Sequence, residues 1–292
     1  MATAVVTAPG KINLTLDILG KRADGYHEME MLMHAVSLEN TVTVTWQKDP
    51  GIRLACSNPA VPTGETNLAW RAADAFFQAW GHAAGVSIQV EKRVPMEAGM
   101  AGGSADAAGV LVGLNALAGR PFSLDALCTI GLGLGADVPF CLCGGAALVQ
   151  GIGERITPLA PLTGGWLVIA KPLEGMKTAR CFAAYDALQT VRHPDTKAAL
   201  EAMKRQDLKQ LGSLLENVLE QAAPLAQVQR IRQTMLQNGA LGSRMTGSGT
   251  AVYGLFAAKQ QAARCARRMY QLGGSCFVVQ PVGYGAKVLR LE

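Results

Sequence analysis

The sequence predicts an α+β fold in two domains, at residues 1–157 and 158–292. Segments typical of strands and of helices are mixed in both halves, without the strict alternation of a β-α-β fold. The character of these segments changes near Ile156, and 292 residues suffice for two cores. With 49% hydrophobic and 17% charged residues, the chain is expected to fold rather than to remain disordered.

The individual elements follow from apolar periodicity, turn residues and helix caps. In the first domain they are a strand or pair of strands over 3–19, a turn at Asp24-Gly25, a strand at Thr41–Trp46, a helix over 67–80 capped by Asn67, a strand from Gly85 that Pro95 ends, a helix beginning near Ser104 or Ala105, and a shorter helix capped by Ser123. In the second they are a buried strand in "GGWLVIAKP", helices over 178–190, 195–206, 207–221 and 225–238, a turn, glycine loop and strand in "GALGSRMTGSGTAVYGLF", a helix over 258–272, a strand in "SCFVVQPV" and a further strand in the tail.

The charge and the cysteines restrict the classes of partner and compartment. A net charge of +5 mildly favours anionic small molecules, and no basic run or stripe indicates nucleic acid. Seven irregularly spaced cysteines favour reduced thiols over disulfides or metal ligands, and so a reducing compartment. The apolar amino-terminal segment is interrupted by Lys11, Asn13 and Asp17, unlike a signal peptide, and no apolar run is long enough for a bilayer. We therefore expect a cytoplasmic protein without membrane partners; the sequence carries no signal of its oligomeric state.

The stretch "PMEAGMAGGSADAAGVL", Pro95–Leu111, places Gly99, Gly102 and Gly103 directly before a helix-forming run. Glycine lets the backbone approach a ligand, and the free N–H groups at a helix N-terminus favour an anion, most often phosphate. The glycine spacing matches neither a Walker A loop nor the dinucleotide-binding fingerprint. The stretch thus indicates a phosphate site, and a tight strand-to-helix turn is the alternative.

Three other segments place polar groups among apolar ones or beside glycine. "APGKINL" puts Lys11 in a tight turn next to Asn13, where a lysine needs an anionic partner. "GLGADVPF" contains Asp137, which is either a functional carboxylate or a turn or capping residue. "RMTGSGTAVYGLF" is a second glycine loop with the hydroxyls of Thr246 and Ser248, or else an ordinary hairpin turn.

Together these four segments resemble the GHMP kinase family, from Ala8 to about Phe256. The glycine stretch is similar to the family's central ATP-phosphate loop, "APGKINL" to its first motif and "MTGSGTAVYGLF" to its third. "GKINL", "DGYHE", "GGSADAA" and "GADVPF" together resemble the branch that acts on diphosphocytidyl methylerythritol in the non-mevalonate route to isoprenoids. The resemblance implies an N-terminal domain like domain 2 of ribosomal protein S5 and a ferredoxin-like C-terminal domain.

The reaction implied by this resemblance is transfer of the γ-phosphoryl group of ATP, accompanied by Mg²⁺, to the tertiary 2-hydroxyl of the methylerythritol moiety. Asp137 matches the catalytic aspartate of the family, and Lys11 matches the lysine that pairs with it. The ammonium group would keep the carboxyl ionised and stabilise charge on the attacking oxygen. Asn13, two residues further along the strand, is expected to help hold the substrate.

The resemblance also implies a cytosine pocket. Tyr26 and His27 match the residues that contact the base, and Phe182 matches an aromatic that stacks on its other face, four residues after Thr178. A surface turn at Tyr26 and a core position for Phe182 are the alternatives. Gly247, Ser248 and Gly249 are expected to line the substrate side.

ATP is assigned by the resemblance to the first glycine loop and its surroundings. The residues expected around the phosphates are Gly99, Met100, Ala101, Gly102, Gly103 and Ser104. Those expected near the adenine are Asn67, Leu68, Lys92 and Met96, which are otherwise ordinary cap, core or surface residues. No protein ligand for Mg²⁺ is identified, and Ser104 is only a candidate.

The loop departs from the family pattern Gly-Leu-Gly-Gly-Gly-Ser-Ser at three positions, with Met100, Ala101 and Ala105. Because Ala101 carries a Cβ, we expect a negative φ there. Ala105 lacks a hydroxyl, which puts in doubt any phosphate or Mg²⁺ contact made at that position in other members.

Two alternatives stay open at this point. The chain could act on another small alcohol, such as homoserine or phosphomevalonate, and Tyr26, His27 and Phe182 argue against that. It could also bind nucleotide without catalysis, since fold alone does not fix activity. A binding module would have no use for the pair Lys11 and Asp137.

Overall fold

The structure, a computed structural model, describes residues 2–82, 84–222, 225–272 and 274–292. The strands are β1 (Thr3–Lys21), β2 (His27–Gln47), β3 (Gly51–Cys56), β4 (Gly85–Glu91), β5 (Ala146–Gly151), β6 (Arg155–Leu159), β7 (Trp166–Lys171), β8 (Glu216–Asn217), β9 (Gly242–Met245), β10 (Val252–Phe256), β11 (Ser275–Val279) and β12 (Lys287–Leu291). The helices are α1 (Leu68–Trp80), α2 (Gly102–Leu117), α3 (Leu124–Leu132), α4 (Val138–Cys143), α5 (Thr178–Asp186), α6 (Thr196–Lys204), α7 (Leu208–Leu214), α8 (Val218–Ala222), α9 (Ala226–Gln237) and α10 (Lys259–Met269).

Two sheets carry these elements, and the α+β prediction is confirmed. The larger sheet has the order β12-β1-β2-β4-β3, with β5 pairing β2 and β6, and β8 pairing β1. The smaller sheet has the antiparallel order β11-β7-β10-β9. A shared hydrophobic cluster joins Ile12 and Leu14 of β1 to Ile169 of β7 and Tyr253 of β10. The two sheets therefore pack against each other, and the cavity described below is lined by β1 and β2 of the larger sheet and by the loop between β9 and β10 of the smaller one.

Most predicted elements are present, and their differences have tertiary causes. Asn67 caps α1 by accepting from the Ala69 N–H at 2.8 Å, and Ser123 caps α3 by accepting from the Ala126 N–H. The strand predicted at 41–46 begins already at His27, because β2 pairs with β1 on one side and β5 on the other. The single helix predicted over 207–221 is wrong: the short strand β8 interrupts it where it pairs with β1.

The helix after the first glycine loop begins at Gly102, slightly before the predicted start. Gly109 and Gly113 let α2 lie directly on β2, since a Cβ at either position would approach a Val42 or Val44 methyl within 2.8 Å. This close packing fixes the helix axis and so the direction in which its N-terminus points.

The domain boundary at 157/158 falls within β6 and stays a prediction. The carboxyl-terminal strand β12 returns to the larger sheet and pairs with β1. Within the described residues, no helix combines the length and apolar character needed to cross a membrane.

Candidate active site

A cavity of about 880 Å³ opens where the two glycine loops, β1 and the first turns of α2 and α5 meet. Seventeen of the residues expected in the site from the sequence line it: Lys11, Tyr26, Asn67, Leu68, Lys92, Met96, Gly99, Met100, Ala101, Gly102, Gly103, Asp137, Thr178, Phe182, Gly247, Ser248 and Gly249. Three do not line it: Asn13, His27 and Ser104. Segments more than 100 residues apart thus converge on one space.

Lys11 and Asp137 form the charged centre of this cavity. The Lys11 Nζ lies 3.9 Å from the Asp137 Oδ2, and their side chains are 5% and 36% exposed. Asp137 occupies the cap position of α4, yet its side chain makes no capping hydrogen bond. The carboxylate is therefore turned to the cavity, and the capping alternative does not explain it.

Asn13 stands behind Lys11 rather than in the cavity. It is fully buried, and its Oδ1 accepts from the Lys11 Nζ at 2.8 Å. Its backbone is held as well, because the Asn13 N–H donates to the Thr246 hydroxyl and the Tyr253 hydroxyl donates to the Asn13 carbonyl. The structure thus gives Asn13 a contact that orients Lys11, in place of the expected contact with substrate.

The two glycine loops touch each other, and this contact explains some of their glycines. A Cβ at Gly99 would lie 2.0 Å from the Thr246 carbonyl oxygen, and one at Gly247 would lie 2.8 Å from the Gly99 carbonyl oxygen. Both residues have positive φ, at 70° and 55°. Glycine at these positions therefore permits loop-to-loop packing, in addition to any approach of a phosphate.

The expectation of a negative φ at Ala101 is wrong, because φ there is 58°. Ala101 is the cap residue of α2, and its carbonyl accepts the first helical bond, from the Ala105 N–H. The preceding residue is fixed too, since the Met100 carbonyl accepts from the Lys11 N–H at 3.1 Å. The chain turns between these two anchors through a left-handed residue, despite the strain that a Cβ brings.

A buried ion pair braces the first glycine loop; Lys92 was expected near the adenine, but its partner Asp106 was not among the sequence-based candidates. The Lys92 Nζ lies 2.6 Å from the Asp106 Oδ2, with each side chain 7% exposed, and it also donates to the Gly102 carbonyl. Asn40 donates to the other carboxylate oxygen at 2.7 Å. Burial raises the pKa of Asp106, although Lys92 opposes the shift. A charged residue inside the alanine run "SADAA" was the sequence signal for this network.

The opposite end of the cavity is aromatic and more open. Tyr26 is 61% exposed on the loop between β1 and β2, and Phe182 lies on α5. The Thr178 hydroxyl at the start of α5 lies 3.0 Å from the Ser248 hydroxyl, which ties this helix to the second glycine loop. The His27 imidazole stacks on Phe182 with 5.0 Å between ring centroids and faces a second cavity of about 470 Å³.

Comparison with known proteins agrees with this arrangement. The family model described as "GHMP kinases N terminal domain" matches residues 67–145, and "GHMP kinases C terminal" matches residues 199–275. The chain belongs to the GHMP kinase family. Among GHMP kinases, the 4-diphosphocytidyl-2-C-methyl-D-erythritol kinase of Carboxydothermus hydrogenoformans is 41% identical, over 98% of this chain and all of that one. The enzyme of the same name from Alkaliphilus metalliredigens is 41% identical, over 84% of this chain and 85% of that one.

Solved structures of GHMP kinases extend the likeness. A crystal structure of 4-(cytidine 5'-diphospho)-2C-methyl-D-erythritol kinase superposes with a TM-score of 0.81 at 34% identity, covering 96% of this chain and all of that one. A homoserine kinase from Cytophaga hutchinsonii superposes with a TM-score of 0.79 at 19% identity, covering 98% and 97%. The second comparison shows the fold alone.

Proposed function

We propose that this chain transfers the γ-phosphoryl group of ATP to the 2-hydroxyl of 4-diphosphocytidyl-2-C-methyl-D-erythritol, in the non-mevalonate pathway to isoprenoid precursors. One observation carries the proposal: a single cavity holds the pair Lys11 and Asp137 between a phosphate-type loop and an aromatic end. The relatives named for this reaction, which match over nearly the whole chain, support it. ATP and this small molecule are the proposed partners, without nucleic acid, and we place the reaction in the cytoplasm, where ATP is supplied.

Asp137 is the proposed general base. Its half-buried carboxylate faces the cavity and accepts the proton of the substrate hydroxyl as that oxygen attacks phosphorus. Lys11 supplies positive charge beside the same oxygen, where charge develops in the transition state. Asn13 keeps the ammonium group in place from behind, so the pair is set before the substrate arrives.

The first glycine loop is the proposed cradle of the ATP phosphates. Gly102 and Gly103, the first residues of α2, line the cavity, and the N–H groups in the first turn of a helix are free to bind an anion. The adenine is proposed to lie near Asn67, Leu68, Lys92 and Met96, of which Lys92 is already paired with Asp106. At the other end, cytosine would stack between Tyr26 and Phe182.

Mg²⁺ fits this site as an ion bound chiefly through ATP. Among the described residues, no group of three or more His, Cys, Asp or Glu side chains could hold a metal by itself. Mg²⁺ in phosphoryl-transfer sites keeps several waters and needs only one or two protein oxygens besides the phosphates. The hydroxyl of Ser104 is the candidate protein donor, and the ion would neutralise phosphate charge. Ser104 would have to turn towards the cavity that it does not now line.

The test is ADP release from ATP-Mg²⁺ with three alcohols: the diphosphocytidyl methylerythritol, phosphomevalonate and homoserine. We expect turnover with the cytidylyl substrate alone. Turnover with another alcohol would agree with the roles proposed for the phosphate loop and the pair Lys11–Asp137. It would contradict the proposed cytosine pocket. No turnover with any of the three, in a protein that still binds ATP, would overturn the assignment as a kinase of this branch.

A further inference from the structure

Helix α5 presents a stripe of three side chains at a spacing of four residues, namely Thr178, Phe182 and Asp186. Residues four apart lie on the same face of a helix. The first two line the main cavity, while the third lies on the wall of the second cavity, which His27 also lines. The stripe therefore extends from the substrate side of the site into its support.

Asp186 uses both of its carboxylate oxygens. Its Oδ1 lies 2.6 Å from the His27 Nε2, and its Oδ2 lies 2.6 Å from the Lys21 Nζ. Lys21 and His27 are direct cross-strand partners at the ends of β1 and β2, and the loop between them carries Tyr26. One carboxylate thus joins α5 to both strands of the hairpin that presents the exposed tyrosine.

His27 transmits this contact to the aromatic wall. Its ring lies against Phe182 with an interplanar angle of 29°, and it meets Tyr185 edge-on at 6.3 Å. The His27 side chain is only 11% exposed, so it has little freedom to leave this position. The two hydrogen bonds, from Lys21 first and His27 second, hold the pKa of Asp186 below its usual range.

We propose that Asp186 is a positioning residue for recognition of the cytosine base. It fixes His27 against Phe182 and fixes the hairpin that carries Tyr26, and it thereby orients the two aromatic rings. It acts on the base end of the site alone, because its partners reach neither the phosphate loop nor the pair Lys11–Asp137. This inference rests on the proposed cytidylyl substrate.

The experiment measures CMP affinity by calorimetry, together with KM for the cytidylyl substrate and for ATP. In Asp186→Ala we expect CMP to bind about tenfold more weakly and the cytidylyl KM to rise by a similar factor, since charge-assisted hydrogen bonds are lost. The KM for ATP and kcat should stay within about twofold, a split that general destabilisation would not produce. Asp186→Glu should recover part of the affinity.

Matched variants separate this role from a structural one. Glu201→Gln removes another helical carboxylate, whose ion pair within the described residues is with Lys204 of its own helix, and should change none of these constants. If Asp186 acts through His27, the losses in His27→Ala and Asp186→Ala should be less than additive in the double variant. Additive losses would overturn the coupling.

The outcomes also distinguish this inference from the proposed function. Unchanged CMP affinity in Asp186→Ala, with a wild type that phosphorylates the cytidylyl alcohol, would overturn the role of Asp186 alone. A wild type inactive on that alcohol would overturn the proposed function, and CMP affinity would still decide the inference. A wild type that does not bind CMP would overturn both.

Discussion

The two ends of the cavity, which we propose to hold the ATP phosphates and the cytosine base and call the phosphate end and the base end, are built differently. At the phosphate end, Lys11, Asn13, Lys92 and Asp106 are all buried and held by one another or by backbone groups. At the base end, Tyr26 is 61% exposed, and the ion pairs beneath it reach solvent. Charges in a dry, fixed setting interact strongly, whereas exposed pairs contribute little. We therefore expect changes at the phosphate end to alter rate and stability, and changes at the base end to alter substrate affinity.

The largest effect should come from Asp137→Ala. Loss of the base should lower kcat about 10³-fold or more, with ATP affinity and folding largely kept. ADP release and calorimetric ATP titration measure the two quantities. Lys11→Ala should lose most of its rate too, and the losses should not add in the double variant, because the two side chains act as a unit. Full activity in Asp137→Ala would show that the Asp137 carboxylate is not the base in phosphoryl transfer.

Stability should be most sensitive at the buried pair of the same end. Asp106→Leu leaves the Lys92 ammonium buried without its partner, and we expect the free energy of unfolding to fall by about 3–5 kcal/mol in urea titrations. Lys92→Met combined with Asp106→Leu should recover much of that loss. The exposed pair Glu91–Arg93 is the matched control, and Glu91→Gln should cost at most about 1 kcal/mol. Equal losses of unfolding free energy in Asp106→Leu and Glu91→Gln would contradict the larger contribution expected from the buried pair.

Acid should lower the free energy of unfolding through protonation of His34. This residue is the cross-strand partner of Ile12, next to Lys11. The imidazole is buried between the Ala35 carbonyl and the Leu162 N–H, and burial lowers its pKa from 6.5 to about 4. Between about pH 6.5 and pH 4, the His34 imidazole is therefore protonated in the unfolded chain and neutral in the folded chain. This histidine's contribution to unfolding free energy, about 3 kcal/mol, is present above pH 6.5 and is lost as pH falls to about 4.

Urea titrations across that pH window measure the contribution. His34→Leu should flatten this part of the profile, although it also leaves the Leu162 N–H without its acceptor. The exposed His82 gives the control, and His82→Gln should keep the wild-type slope. An unchanged slope in His34→Leu would show that carboxylates, not this histidine, cause the acid sensitivity.

At the base end, Tyr26→Ala should raise the KM for the cytidylyl substrate about tenfold, since stacking of a base on an aromatic ring contributes about 1–3 kcal/mol. The KM for ATP and the unfolding free energy should change little, because the ring is mostly exposed. Steady-state kinetics with each substrate varied in turn measure the split. Equal increases in KM for the cytidylyl substrate and for ATP would contradict the assignment of base recognition to Tyr26.

The smallest effect concerns the strained loop residue. Ala101→Gly should raise the unfolding free energy by about 0.5–1 kcal/mol, because relief of the left-handed strain exceeds the added entropy of the unfolded chain. Ala105→Gly, three residues into α2, should instead destabilise by about 1 kcal/mol. A loss of stability in both variants would mean that the loop carries no strain at Ala101.

The sequence indicated residues at the two ends of the cavity by different signals. Lys11 and Asp137 were recognisable because charges in apolar segments need partners, and the glycine run stood out against the helix that follows. Asp106 had the same kind of signal, a charge within an alanine run, but its partner Lys92 lies on a strand end where a solvated lysine is ordinary. At the base end, the residue types indicated stacking but not the direction of each ring.

By itself, the sequence determined the local structure: the Asn67 and Ser123 caps, the turn at Asp24-Gly25, and the helix that follows the first glycine loop. These depend on hydrogen bonds and backbone preferences within a few residues. Only the tertiary structure decided where the Asn13 and His27 side chains lie, because Thr246 and Asp186, which contact them, are 233 and 159 residues away. It also decided the left-handed Ala101, since anchors on β1 and α2 fix the chain on both sides. Such contacts form only when the two sheets pack together, and no local pattern encodes them.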